Sequence, residues 1–210
     1  MRHTRTPGLL FAALVWTTAA HAADPRLPFF EIAPFVGQRL GGDFEVDEGG
    51  TEADLDDAHS LSLALDLRRD PLSQYELFYG RQETELEAGS PLGSVGIDVE
   101  YLHVGGTLIV TDEYRFAPYI VGTLGATRMR PEGPGVRDET RFSLSLGAGV
   151  RIPVSARFAL RLEARGFLTF LDTDSTVFCA SGDFGGLCRI RSSGSTFIQY
   201  DLLAGAAVSF

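Results

Sequence analysis

The chain has 210 residues, with 28 acidic and 18 basic side chains and a formal net charge of −10. Such an acid excess excludes nucleic acid as a partner, because backbone phosphates demand a basic surface. The 24 glycines, with no sustained 3.6-residue hydrophobic period, exclude a helical protein, and the length suits one domain. Lysine is absent, so the basic residues are all arginine.

In chain order, Arg2, His3 and Arg5 form a basic head, Leu9 to Ala20 an apolar run, and Ala20-His21-Ala22 a small-residue cleavage site. The apolar run is shorter than the ~20 residues of a spanning helix. Residues 1–22 are therefore expected to be a secretory signal peptide, leaving 23–210 as the folded domain. Eight strand-like segments follow: Phe29–Arg39, Ser60–Arg68, Gln74–Thr84, Val99–Val110, Arg115–Thr127, Arg141–Pro153, Phe158–Phe170 and Phe197–Phe210. The links after the second, fourth and sixth segments are short. Those after the first, third, fifth and seventh are long and rich in Gly, Pro, Ser or acid. Such alternation gathers every long loop at one end of an up-and-down meander.

Each segment alternates with period two. In the sixth, Phe142, Leu144, Leu146, Ala148, Val150 and Ile152 make one face, and Arg141, Ser143, Ser145, Gly147, Gly149 and Arg151 the other. A water-facing sheet surface would carry bulky β-formers such as Thr, Lys and Glu. Small residues punctuated by charges suit a narrow interior instead, with the apolar face turned to lipid. The expected fold is all-β, an eight-stranded antiparallel up-and-down transmembrane β-barrel. Phe116, Phe158 and Phe210 at the inner rim, and Phe142, Phe170 and Tyr200 at the outer, are expected to form interfacial girdles. Arg81 falls on the lipid-facing side after Tyr75, Leu77 and Tyr79. It requires either a β-bulge or snorkelling to the headgroups.

The inward set contains Glu31, Asp66, Arg68, Glu76, His103, Arg151, Arg161, Glu163, Arg165 and Asp201. Charges in so narrow a lumen must pair. They are expected to form a salt-bridged plug, with a selective path for protons or small ions as the competing use. No nucleophile can be placed beside His103 from sequence, so a packed lumenal histidine is expected. The acidic stretch Asp43, Glu45, Asp47, Glu48, Glu52, Asp54, Asp56 and Asp57 departs from calcium-loop spacing and is expected to be solvated. Cys179 and Cys188 are expected to close a disulfide loop in an oxidising export route, near Phe184, Arg189 and Arg191. Two thiolates alone do not complete a zinc site, and no metal or cofactor is expected.

The stretch Ala117-Pro118-Tyr119-Ile120-Val121-Gly122 and the ending Leu203-x-Gly205-x-x-Val208-x-Phe210 resemble the small outer-membrane barrel family typified by the OmpA membrane domain and OmpX. The resemblance spans Phe29 to Phe210. It implies the outer membrane of a Gram-negative bacterium, a surrounding of outer-membrane lipids and lipopolysaccharide, and an assembly signal at Gly205, Val208 and Phe210 read by the barrel-assembly machinery. Such a fold fixes no activity. The leading expectation is a non-enzymatic barrel presenting loops for adhesion, recognition or envelope integrity, through an extracellular ligand or surface partner. A narrow channel, as in OmpW-like barrels, and a lipid A-modifying enzyme are the alternatives.

Overall fold

Period-two alternation puts every second side chain on the same face of a strand, and here that periodicity is carried around a closed cylinder. The computed structural model describes residues 29–42, 44–45, 52–87, 95–111, 116–131, 138–171, 179–180, 187–188 and 196–210. The wall consists of β1 (Phe30–Leu40), β2 (Ala58–Asp70), β3 (Ser73–Glu87) and β4 (Val95–Ile109), then β5 (Ala117–Pro131), β6 (Glu139–Pro153), β7 (Phe158–Phe170) and β8 (Thr196–Ser209). Each strand pairs antiparallel with the next. β1 pairs with β8 from Glu31 opposite Ser209 to Leu40 opposite Tyr200. Closure leaves no barrel edge unpaired, the condition for strands to cross a bilayer.

The two faces separate cleanly. Along β8, Phe197, Gln199, Asp201, Leu203 and Ala207 are buried, while Ile198, Tyr200, Leu202 and Phe210 are exposed. The same holds around the wall: Leu146 is 69% exposed and Leu61 65%. In water each such side chain would forgo about 25 cal/mol per Å² of apolar surface; in hydrocarbon it forgoes nothing. Among the described residues no helix is long and apolar enough to cross a membrane. Phe116, Phe158 and Phe210 lie exposed at the short-link end. Toward the other end Phe142 and Phe170 stack with centroids 5.8 Å apart, and Tyr200 is exposed.

The short links are tied by their own side chains. The Asp70 carboxylate accepts from the Leu72 amide and the Ser73 hydroxyl. Ser155 Oγ accepts from the amides of Arg157 and Phe158. The chain ends meet at the same rim, where the Phe29 amide donates to the Phe210 carbonyl at 2.8 Å.

Strands β2 to β6 run past the expected boundaries at the long-loop end. The apolar alternation stops there, but the ladder continues because charged side chains pair across it. Arg81 Nη2 lies 3.0 Å from Asp98 and 2.8 Å from Glu83, Arg130 lies 2.6 Å from Glu100, and Arg128 lies 2.5 Å from Asp138. These pairs also resolve Arg81. The β3 register passes through it without a bulge, with Leu61 and Glu100 opposite. Its charge is met by carboxylates just beyond the apolar belt. Residues 52–55 extend this end further, pairing Asp54 with Glu87 and Leu55 with Leu86.

The interior is fuller than small residues would make it, since Phe35, Phe78, Tyr101, Tyr119, Phe167 and Phe197 all point inward and are buried. Gly205 is one reason they fit. A Cβ there would stand 2.5 Å from the Phe35 ring and 2.5 Å from the Pro34 carbonyl oxygen. By contrast, a Cβ on the lipid-facing Gly122 meets only Leu146, at 3.5 Å. Gly205→Leu is accordingly expected to destabilise the barrel by at least ~1–3 kcal/mol through overpacking. Gly122→Leu should fold like the parent, read by urea unfolding and by heat-modifiable mobility on gels.

Candidate functional site

The chemistry of this chain is concentrated in the lumen. Three carboxylates lie side by side: Glu31 on β1 is opposite Asp66 on β2, and Asp66 is opposite Glu76 on β3. Like charges in direct cross-strand apposition repel, so something must compensate. The answer is a second like-charged row on the far wall. Arg151 on β6 is directly opposite Arg161 on β7, and Arg165 lies four residues further along the same face of β7, with Glu163 between them.

The two rows meet across the lumen. Arg151 Nη2 donates to Glu31 at 2.8 Å. Arg161 Nη1 contacts Asp66 at 2.5 Å, with Glu31 at 3.7 Å, while its Nη2 lies 3.5 Å from Glu76 and 3.4 Å from Glu163. Arg165 binds Glu76 at 2.9 Å through Nη2 and Glu163 at 2.6 Å through Nε. The Tyr119 hydroxyl donates to Glu163 at 2.7 Å, and Ser209 donates to Glu31 at 2.7 Å. These acids and Arg161 and Arg165 are at most 5% exposed. Arg68 is half-buried on β2 beside this cluster. A planar guanidinium with five donors serves several carboxylates at once, which an ammonium could not match.

Above the cluster lies an aromatic layer. Arg165 stacks over Phe78 with its guanidinium carbon 4.0 Å from the ring centroid. Tyr101 and Phe167 stack at 4.1 Å, and His103 meets both edge-on. On the other side of the layer Arg39 covers Tyr101 and Phe167 at 4.9 and 5.2 Å. Arg39 binds Asp201 at 2.6 Å through Nη2 and 3.0 Å through Nε, and Ser60 donates to the other Asp201 oxygen at 2.7 Å. Gln199 ties the Tyr101 hydroxyl to Gln82.

Arg39 is absent from the sequence-derived set, yet it is fully buried and directly opposite Asp201 across the closing seam. Its parity with Glu31, eight positions back on the same strand, was the available signal. With it, among the described residues, five lumenal acids, Glu31, Asp66, Glu76, Glu163 and Asp201, stand with five arginines, Arg39, Arg68, Arg151, Arg161 and Arg165, and Arg141 and Glu139 form a further pair on the inner face of β6 at its long-loop end.

His103 has the neighbour that sequence could not supply. Its Nε2 lies 2.8 Å from Ser143 Oγ and its Nδ1 3.0 Å from Thr123 Oγ1, which in turn bonds Ser145 at 2.6 Å. Gly125 stands between His103 and Ser143 on the same rung. A Cβ there would come within 2.8 Å of the imidazole, so only glycine lets the ring reach across. The pair resembles a nucleophile and base, but the orienting partner is a hydroxyl where a carboxylate is usual. Both residues are 0% exposed.

The remaining expectations fall elsewhere. Gly205 packs against Phe35, Val208 faces outward on β8, and Phe210 closes the rim. Residues 179–180 and 187–188 form a short antiparallel ribbon with Cys179 opposite Cys188. The side chains of both cysteines lie outside the described residues, as do residues 1–22, Phe184, Arg189, Arg191 and the side chains of the acidic stretch before Asp56. Asp56 and Asp57 are exposed.

No family model and no curated protein matches the chain. Solved structures do. The chain is similar to Neisserial surface protein A, with a TM-score of 0.60 and 14% identity over 86% of this chain and 97% of that one. The outer membrane protein AlkL, solved in lipid bilayers, matches with a TM-score of 0.54 and 14% identity over 100% of this chain and 97% of that one. The outer membrane protein OprG from Pseudomonas aeruginosa matches with a TM-score of 0.53 and 12% identity over 88% and 96%. The shared property is the fold: this is an outer-membrane β-barrel fold, with the apolar belt that location requires.

Arg161 joins all four acids of the lower cluster. Arg161→Ala leaves the buried Asp66 carboxylate without an ion-pair partner and takes one of two partners from Glu31, Glu76 and Glu163, and is expected to cost about 3–5 kcal/mol. Arg81→Ala, which removes two exposed ion pairs, should leave the urea unfolding midpoint close to that of the parent.

Proposed function

We propose that this chain is a non-enzymatic outer-membrane barrel whose work is done by its loops, with the barrel itself serving as an ion-tight scaffold. The observation that carries this reading is the filled lumen. Guanidinium groups bridge it from wall to wall, and an aromatic layer closes it between Arg165 and Arg39. A hydrated ion entering from either end meets packed side chains that, Arg68 aside, are largely paired.

The loops connecting β1 to β2, β3 to β4, β5 to β6 and β7 to β8 all leave the same end. In this reading they face outward, with short links and both termini in the periplasm, the usual orientation for such barrels. They would present surfaces for adhesion, recognition or envelope integrity, among lipopolysaccharide in the outer leaflet. The backbone apposition of Cys179 and Cys188 supports a disulfide stiffening the last loop, which lowers the ordering cost of binding there. Export by a cleaved leader, and recognition of Gly205, Val208 and Phe210 by the assembly machinery, belong to the same reading.

The lipid A-modifying alternative has its dyad in His103 and Ser143, but both are sealed inside the wall. No acyl ester in the membrane has a route to them.

Planar-bilayer recording of refolded protein tests the proposal. The parent is expected to insert without conductance steps. Discrete steps that change in size or ion preference in an Arg161→Ala/Arg165→Ala variant would make the lumen a pathway and overturn it.

A further inference from the structure

The lipid-facing wall carries a groove of about 600 Å³ that spans β3 to β6. Its floor is Gly106 and Gly122, directly opposite each other on β4 and β5 and both turned to the outside. On the same rung Tyr75 flanks Gly106 and Leu146 flanks Gly122. Leu108 and Ile120 complete the apolar sides. Arg69 and Ser73 line the groove at the rim formed by the short link between β2 and β3.

The groove has a direction. Tyr75 stands two residues from the short-link end of β3, Gly106 three from that end of β4, Gly122 five from that of β5 and Leu146 seven from that of β6. The rung therefore climbs from the rim toward mid-bilayer as it passes around the wall, as strand tilt requires. Polar side chains mark its lower end and glycine and leucine its upper end. That is the polarity of a phospholipid lying along the wall, headgroup at the rim and chain inward.

Charge points the same way. The outward arginines at the long-loop end are satisfied by protein: Arg81 by Asp98 and Glu83, Arg128 by Asp138, Arg130 by Glu100. Arg69 is exposed, and among the described residues no carboxylate lies within ion-pair distance of it. The adjacent Asp70 carboxylate is taken up by Ser73 and the Leu72 amide. The Arg69 guanidinium leans over the edge of the groove, 6.0 Å from the Tyr75 ring centroid. A guanidinium at headgroup level with spare donors is built for a phosphodiester.

We infer that this groove is a binding site for one phospholipid of the inner leaflet, an acyl chain lying over Gly106 and Gly122 and the phosphate held by Arg69. The inference rests on the outer-membrane orientation proposed above and is independent of what the loops bind. A closed, non-conducting barrel and a conducting one would seat the lipid equally.

The test is native mass spectrometry of refolded protein in detergent, titrated with phosphatidylglycerol and, separately, with diacylglycerol of the same chains. The parent should retain one phosphatidylglycerol and bind diacylglycerol about tenfold more weakly, the preference disappearing in Arg69→Gln. Gly122→Leu fills the floor from the outside and should lose both lipids. Val36→Phe, on the far wall, should bind like the parent, and heat-modifiable mobility verifies that every variant is folded. Equal retention by the parent and all three variants would mean unselective annular lipid and would overturn the site. A dimer that Gly122→Leu abolishes would overturn it too, making the groove a seat for a second copy.

Discussion

The structure depends on the electrostatics of a narrow space filled by side chains. Once eight strands close, the inward side chains lose their hydration, and each charge among them must find an opposite charge within a few ångströms. Three adjacent carboxylates on β1, β2 and β3 would be untenable alone. Arg151, Arg161 and Arg165 reach them from β6 and β7, so the walls are held at fixed spacing by contacts that cross the barrel. The aromatic rings then fill what the charges leave. Arginine is suited to both tasks, since one guanidinium binds carboxylates at its edge and stacks on a ring with its face.

Much of this was written in the period of the sequence. Parity along each strand places Glu31, Asp66, Glu76, Arg161 and Arg165 on the inner face without knowledge of any contact. The same parity holds for Arg39 and for Phe35, Phe78 and Tyr101. Hydrophobic alternation draws attention to apolar residues facing lipid, so inward aromatics and a charge at a strand end are easily passed over. Parity cannot tell which residue meets which across the lumen. Arg161 and Asp66 are 95 positions apart, and their contact depends on closure and on stagger between strands. His103 and Ser143 illustrate the same limit, since Gly125 must stand between them before the ring can reach. The strand ends were hidden for another reason. Beyond the apolar belt the ladder is held by Arg81, Asp98, Glu100 and Arg130, and a hydrophobic period is blind to ion pairs.

Inside and outside solve opposite problems with the same small residue. Inward glycines such as Gly125 and Gly205 make room for a neighbour's ring, so the lumen closes. Outward glycines such as Gly106 and Gly122 leave no side chain between their neighbours, so the wall is indented. The barrel is filled within, yet textured toward lipid.

The Arg39–Asp201 pair joins the first strand to the last, 162 positions away. Contacts so remote in sequence form late, because the loop they close is entropically the most costly. A closure slipped by one residue would turn every side chain of β8 over, leaving Arg39 buried without its acid and Asp201 pointing into hydrocarbon. The seam thus carries its own proofreading. Only one of the available closures neutralises both groups, and the chain recognises its finished state by a single pair of charges at the join.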